Sequence, residues 1–366
     1  MVAPVALICL VMAACAPTNA VTAPSGAATT APTPPPPPRV TTTTARPTSA
    51  SPAPTSTPTD DLVLAFAGDS NAFKGGGAST QQGLGEAGRL LAAADLASVN
   101  LETALADDPT GLQKQPKLYT FLTDSAFPRM LAREGLDVVS MANNHAMDYG
   151  VEGLKRTLKI KRDLADELPM VGIGETVDEA FAPVEMQAKG RTVLWFGGTD
   201  VLEDNMDWYP ADGQPGVAMV KSEERFQGLV SRVAEARRAQ PDAVIVVWMH
   251  WGQDYMVCTQ QDRQDRRARD LAKAGATLVV GTHAHRVQRM EMIGNTLVAY
   301  GLGNFNFFSN RVETRETGVL TIRLPRTGAP RADWAPGRIV DGRPVLLTGD
   351  EKVQAIRRWK GLPAGC

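Results

Sequence analysis

Seven short apolar runs lie between residues 62 and 300 of this chain, and six of them end in a tight polar cluster. The runs are residues 62–67, 96–100, 138–141, 192–196, 244–249, 277–280 and 297–300. Continuous apolar runs of this length read as strands buried on both faces. Between several of them lie amphipathic stretches with a helical period. Residues 222–239 place Phe226, Leu229, Val230, Val233 and Ala234 on one face, with Ser222 positioned as an N-cap. Residues 261–274 carry charge on one side and Ala268, Leu271 and Ala272 on the other. Strands alternating with helices predict an α/β layered fold. Residues 319–322 and 345–347 read as further strand. The pairs Arg237-Arg238 and Arg266-Arg267 are expected on solvated helix faces. Met249, Met256, Met290 and Met292 are expected as core filler.

The polar clusters follow one format, in which a strand is succeeded at its carboxyl end by ligand-type residues. They are Gly68-Asp69-Ser70-Asn71, Asn100-Leu101-Glu102, Asn143-Asn144-His145, His250-Trp251-Gly252, Gly281-Thr282-His283-Ala284-His285 and Gly301-Leu302-Gly303-Asn304-Phe305. In α/β sheets, ligands bind outside the carboxyl ends of the strands, where a rigid strand aims a side chain and the following loop leaves it open. The chain has four histidines, and all of them stand in these clusters. His283 and His285 are two apart and would project the same way from extended backbone. An Asp, a Glu, an Asn and several imidazoles make a mixed oxygen and nitrogen set suited to Mn, Fe or Zn. Two such ions about 4 Å apart need a bridging carboxylate; they polarise a phosphoryl oxygen and supply hydroxide at neutral pH. A purely structural role for every one of these histidines is the alternative. Asn143 and Asp148 read as loop-stabilising side chains, and Trp251 and Tyr255 as packing with substrate stacking as an alternative.

With 38 Lys plus Arg against 40 Asp plus Glu, the net charge of −2 predicts no nucleic-acid partner. Residues 1–15 read as an export signal whose apolar stretch is too short to span a bilayer. Met12-Ala13-Ala14-Cys15 resembles a bacterial lipoprotein signal, which predicts an extracytoplasmic protein held to the cell membrane through lipidated Cys15. The absence of Lys and Arg before the apolar stretch departs from that pattern and leaves plain secretion as the alternative. Residues 16–60, almost wholly Pro, Thr, Ser and Ala, cannot bury enough apolar area to fold and read as a disordered tether. Residues 61–366 then form the folded domain. Cys258 and Cys366 either bridge or remain free thiols.

The clusters together resemble the bacterial CapA family of capsule and poly-γ-glutamate synthesis proteins, a branch of the calcineurin-like metallophosphoesterases. The resemblance runs from about residue 62 to residue 308. It includes Ala142-Asn143-Asn144-His145 with Asp148-Tyr149-Gly150, and Gly303-Asn304-Phe305. It implies a metallophosphoesterase-like sandwich of two β-sheets flanked by helices, holding two divalent metal ions. By analogy Asp69 binds one ion, Glu102 bridges, and Asn144 and His250 bind the second, with His283 and His285 divided between them. His145 is then the residue that protonates the leaving oxygen or steadies the transition-state phosphoryl group. Asn71 stands where the wider superfamily has a histidine ligand, which bears on how firmly the first ion is held. Asp254 stands where Glu is commoner and is expected to orient His250. Two functions follow as expectations: a metal-dependent phosphoesterase-type site acting on a phosphoester or anionic polymer, or a non-catalytic surface component supporting synthesis, export or anchoring of such a polymer. Either accommodates capsule-synthesis membrane partners. A solute-binding lipoprotein ranks behind both, because it gives no reason for so many ligands at strand ends.

Overall fold

In the computed structural model, which describes residues 60–72, 83–201, 207–211 and 213–366, the apolar runs become the inner strands of two sheets. The expected signal segment with Cys15, and the tether through residue 59, lie outside the described residues. One sheet has seven strands, ordered Arg343–Leu346, Arg331–Val340, Glu316–Leu324, Leu62–Ser70, Leu96–Leu101, Val138–Ser140 and Met170–Val171. From Leu62–Ser70 onward its neighbours pair in parallel; the other three strands join antiparallel. The second sheet has six, ordered Met290–Ile293, Thr296–Ala299, Leu278–His283, Val244–Trp251, Arg191–Thr199 and Val184–Ala188. Its four inner strands are parallel and its two edges antiparallel.

Alternation along the strands divides the apolar side chains into three layers. Leu62, Leu64 and Phe66 face the space between the sheets, where they meet Trp195, Val246, Trp248 and Val280. The Phe66 ring lies 5.8 Å from the Trp195 and Trp248 rings, and the Trp248 indole donates to Ser98 Oγ at 2.9 Å. Ala65, Ala67, Ala97 and Val99 face the other way, and these small residues let three helices approach: Gly85–Ala92, Ala126–Arg133 and Gly150–Asp163. Phe196, Ile245, Val247 and Val279 cover the outer face of the second sheet beneath Glu223–Ala239 and Arg266–Ala274. The fold is therefore an α/β layered sandwich of two sheets flanked by helices.

Ser222 caps its helix as expected, its hydroxyl accepting from the Arg225 N–H at 3.3 Å. The 261–274 stretch opens with a π-helical turn, Gln261–Asp265, before the α-helix begins. One arginine of each pair departs from expectation, while Arg238 and Arg266 stay solvated. Arg267 is buried, its guanidinium 2.7 Å from Asp200 and stacked over Phe226, and Arg237 donates to the carbonyls of Pro241, Ala243 and Gly275. Both cross from their helix onto strand-end loops, where carbonyls and a carboxylate need donors. Met249 is core, but Met292 lies exposed on an edge strand. The helix Gly349–Lys360 was not among the expected elements, and it has no fully buried residue to give it an apolar period. Cys258 and Cys366 are bonded, with Cα atoms 5.3 Å apart.

Gly68 allows the site to assemble. A Cβ there would fall 1.9 Å from the Gly303 carbonyl oxygen, the group that accepts from the Asp69 N–H at 2.9 Å. We expect Gly68→Ala to force this loop off the strand and destabilise the domain by roughly 2–4 kcal/mol, visible as a lowered midpoint in thermal unfolding.

Candidate metal centre

Every residue singled out as a ligand stands at, or just beyond, the carboxyl end of a parallel strand. Asp69 and Asn100 are register partners, as are Asn100 and Ser140. Across the second sheet, His250 pairs with Thr282 and Thr199, and Trp251 with His283. A shift of register between Phe66 and Asp69 re-aims the end of the first strand, as β-bulges near functional sites do. The two sheets therefore bring Asp69, Glu102, Asn144, His145, His250, His283 and His285 to one buried cluster.

Asn100, which the sequence marks only as part of a cluster, connects the two sheets. Its Nδ2 donates to Asp69 Oδ1 at 2.8 Å and lies 3.3 Å from His250 Nδ1, while its Oδ1 accepts from Asn143 Nδ2 at 3.2 Å. Asn143 also donates to the Leu101 carbonyl and accepts from the His145 N–H, which makes it a loop-holding residue as expected. His250 Nε2 faces Asn144 Oδ1 at 2.8 Å, and its Nδ1 lies 3.1 Å from the Thr282 hydroxyl. His285 Nδ1 lies 2.7 Å from Asn304 Oδ1 and 3.5 Å from Asp69 Oδ2. His145 Nδ1 lies 2.7 Å from Asp148 Oδ2, leaving Nε2 directed toward Glu102, 3.8 Å away.

Glu102 is the exception in this network. It is fully buried, and neither carboxylate oxygen has a hydrogen-bond partner. Its donor atoms form two overlapping groups, Glu102 with His250 and His283, and Glu102 with Asp69 and His285, each within 4.8 Å. Burial, reinforced by the negative charge of Asp69, pushes the Glu102 carboxyl up to about 8. Burial drives His250 down to about 4 and His283 well below its ordinary value, so both rings are neutral. Burial also opposes charge on His285, but its contacts with Asp69, Glu102 and Asn304 outweigh this and lift it to about 10. Burial would raise Asp69 too, yet His285, His250 and Asn100 hold it below the usual carboxylate range. Neutral imidazoles and ionised carboxylates are the forms that bind metal, so His250, His283 and Asp69 stand ready, whereas a metal would have to displace a proton from Glu102 and from His285. A cation is what an enclosed, unpartnered carboxylate lacks. The His, Asp and Glu groups of this cluster could thus hold a metal ion, and Glu102 is common to two of them.

Two expectations change in detail. His283 and His285 do not sit on extended backbone, since the strand ends at His283 and their φ angles are +92° and +53°. The left-handed turn separates the rings: His283 packs 4.8 Å from the His250 ring, and His285 turns toward Asp69. Non-glycine residues held in this region are characteristic of functional sites. Asp254 is half exposed and approaches His283 Nε2 at 3.4 Å, so it flanks His283, not His250; positive φ at Gly252 and Tyr255 turns its loop. Asn71 is buried with neither amide atom partnered. Trp251 is core, its indole donating to the Tyr300 carbonyl, whereas Tyr255 is half-buried beneath the Arg311 guanidinium, its ring centre 6.1 Å from that of His285.

Two site residues carry no sequence signal. Lys117 donates to the Asn144 carbonyl at 2.6 Å and to Asp148 Oδ1 at 2.7 Å, and Phe121 stacks on the His145 ring at 4.2 Å. Both come from the irregular segment after Leu105, where no strand end or motif marks them.

A family model described as "Bacterial capsule synthesis protein PGA_cap" matches residues 54–309. The chain is 29% identical over 263 residues to the "PGA biosynthesis protein CapA" of Bacillus subtilis, covering 72% of this chain and 66% of that protein. It is 28% identical over 255 residues to the "Capsule biosynthesis protein CapA" of Bacillus anthracis, covering 69% and 60% respectively. A "Probable polyglutamine synthesis accessory protein" of Mycobacterium tuberculosis matches at 24% identity over 215 residues, 58% of this chain and 55% of that one. The chain thus spans about two thirds or less of the length of these relatives.

The buried Glu102 makes metal-free stability depend on pH. With its carboxyl raised from 4.5 to about 8, its protonated form favours the fold. That contribution is full below 4.5 and is lost as pH rises through about 8. Glu102→Gln keeps the shape without the charge. It is expected to raise the metal-free melting temperature at about pH 9, and to flatten its fall between about pH 5 and 9, while weakening metal uptake.

Proposed function

The chain belongs to the bacterial capsule synthesis protein PGA_cap family, and from that premise we propose that it serves capsule or poly-γ-glutamate-type polymer synthesis through a metal-dependent phosphoesterase-type site. The relatives' names support the polymer role. The carrying observation for the site is Glu102, buried with two unpartnered oxygens and shared by two carboxylate–imidazole groups.

In this reading Asp69 and His285 would hold one ion, His250, His283 and Asn144 would hold a second, and Glu102 would serve both. Mn, Fe or Zn suits this donor set. Bound ions of this kind polarise a phosphoryl oxygen and lower the pKa of a bound water. The chain's own residues supply the rest. Asp148 fixes the imidazole of His145 through Nδ1, so Nε2 is the atom that hands a proton to the leaving oxygen. Lys117 ties both Asp148 and the Asn144 carbonyl, fastening that loop at two points. Phe121 covers one face of the imidazole and keeps water from it. The substrate is a phosphoester of the cell envelope or an anionic polymer. Lipidated Cys15 would hold the domain outside the cytoplasmic membrane, beside capsule-synthesis membrane partners.

Elemental analysis of the purified protein, with phosphomonoester and phosphodiester hydrolysis assayed with and without Mn²⁺, tests this. His283→Ala should lose metal and turnover together. His145→Ala should keep the metal and lose about 10²–10⁴-fold in rate. Bound metal without turnover on any ester would favour the non-catalytic polymer-handling role. A protein that takes up no metal after reconstitution would overturn the site. Separately, Cys15→Ser should move the protein from the membrane fraction to the medium, and unchanged fractionation would remove the lipid anchor.

A further inference from the structure

Beside the metal centre lies a cleft of about 480 Å³ lined by Arg286, Val312, Glu313, Arg315, Glu316 and Arg338. Arginines elsewhere in the described residues commonly meet a carboxylate, as Arg225 does at Asp207 and Arg331 at Asp61. None of the three in this cleft has a described carboxylate oxygen within 4 Å. Arg286 reaches only the Tyr255 carbonyl, at 3.4 Å, and its Nε is buried with no partner. Arg315 Nε donates to the Ser309 carbonyl, and Arg338 is exposed on its strand. The two glutamates that line the cleft are engaged by other arginines, Glu313 by Arg311 at 3.5 Å and Glu316 by Arg358 at 3.4 Å. Three guanidinium groups around one cleft, one with a buried unpaired N–H, lack an oxyanion.

The cleft is joined to the metal centre by short connections. Arg286 follows His285 directly in the chain. Asn304 faces His285 through Oδ1 and donates through Nδ2 to the Thr314 carbonyl at 3.2 Å, in the segment that floors the cleft. We propose that Arg286, Arg315 and Arg338 form an oxyanion subsite, which grips a second anionic group of the extended ligand whose first group occupies the metal centre. This rests on the anionic-ligand reading above and adds to it a place and a recognition chemistry. A planar guanidinium fork matches carboxylate or phosphate oxygens equally, so polymer carboxylates and phosphate groups are the two sources.

The test is fluorescence anisotropy of labelled oligo-γ-glutamate on the full chain, metal-loaded and metal-stripped, with inorganic phosphate as competitor. Arg286→Gln, Arg315→Gln and Arg338→Gln should each weaken binding by about tenfold. Arg286→Lys should recover only part of this, because an ammonium lacks the fork. Thermal melting of each variant controls for folding, and Arg338, being exposed, can be changed without disturbing the core. Competition by phosphate with loss in the same variants supports the subsite and assigns it to phosphate groups. Binding unmoved by all three substitutions overturns it. If His283→Ala abolishes binding while the arginine variants leave it intact, the metal-centre reading stands and the subsite falls. If the arginine variants weaken binding and His283→Ala does not, the subsite stands and the metal-centre reading falls.

Discussion

Two carboxylates enclosed side by side between two sheets set the constraint on which the rest of this structure depends. Asp69 and Glu102 end adjacent strands, both are fully buried, and each disfavours charge on the other. The fold resolves this unequally. Asp69 is surrounded by an amide, an imidazole and the His283 backbone N–H, and remains ionised. Glu102 receives nothing comparable. Placing imidazoles from the second sheet around it builds a set of donors that could hold a cation, and the strand registers fix the position of those donors.

The parts of this arrangement that could be read from residues are those governed by periodicity. Buried parallel strands are apolar along their whole length, so the runs and their abrupt polar ends stand out, and with them Asp69, Glu102, His250 and His283. Long-range pairing was not legible in the same way. Lys117 is one lysine in an irregular segment, and only the folded chain brings it against Asp148. Arg267 sits in a charged stretch that looks solvated, yet a carboxylate at the end of a neighbouring strand draws it inward. His283 and His285 are spaced as strand neighbours, and no glycine at either position announces the change to positive φ that separates them. The position of Asp254 beside His283 depends on the turn at Gly252 and Tyr255, which spacing alone does not encode.

Relatives of this chain are named for polymer synthesis, whereas the reading we propose for the cluster is phosphoester hydrolysis. A single arrangement can serve both. The arginines at the rim favour a ligand with negative groups, and the carboxylates of the cluster would tolerate one only with a cation bound between them, whether or not a bond in it is cleaved.

The bond between Cys258 and Cys366 has a consequence of a different kind. It closes a loop of 108 residues that contains His283, His285, Asn304 and all three arginines of the cleft. A protease that cuts once within that loop leaves two pieces joined by sulfur. In an oxidising setting a nicked molecule would migrate as one chain and retain both halves of its site. Only on reduction could the carboxyl-terminal piece separate.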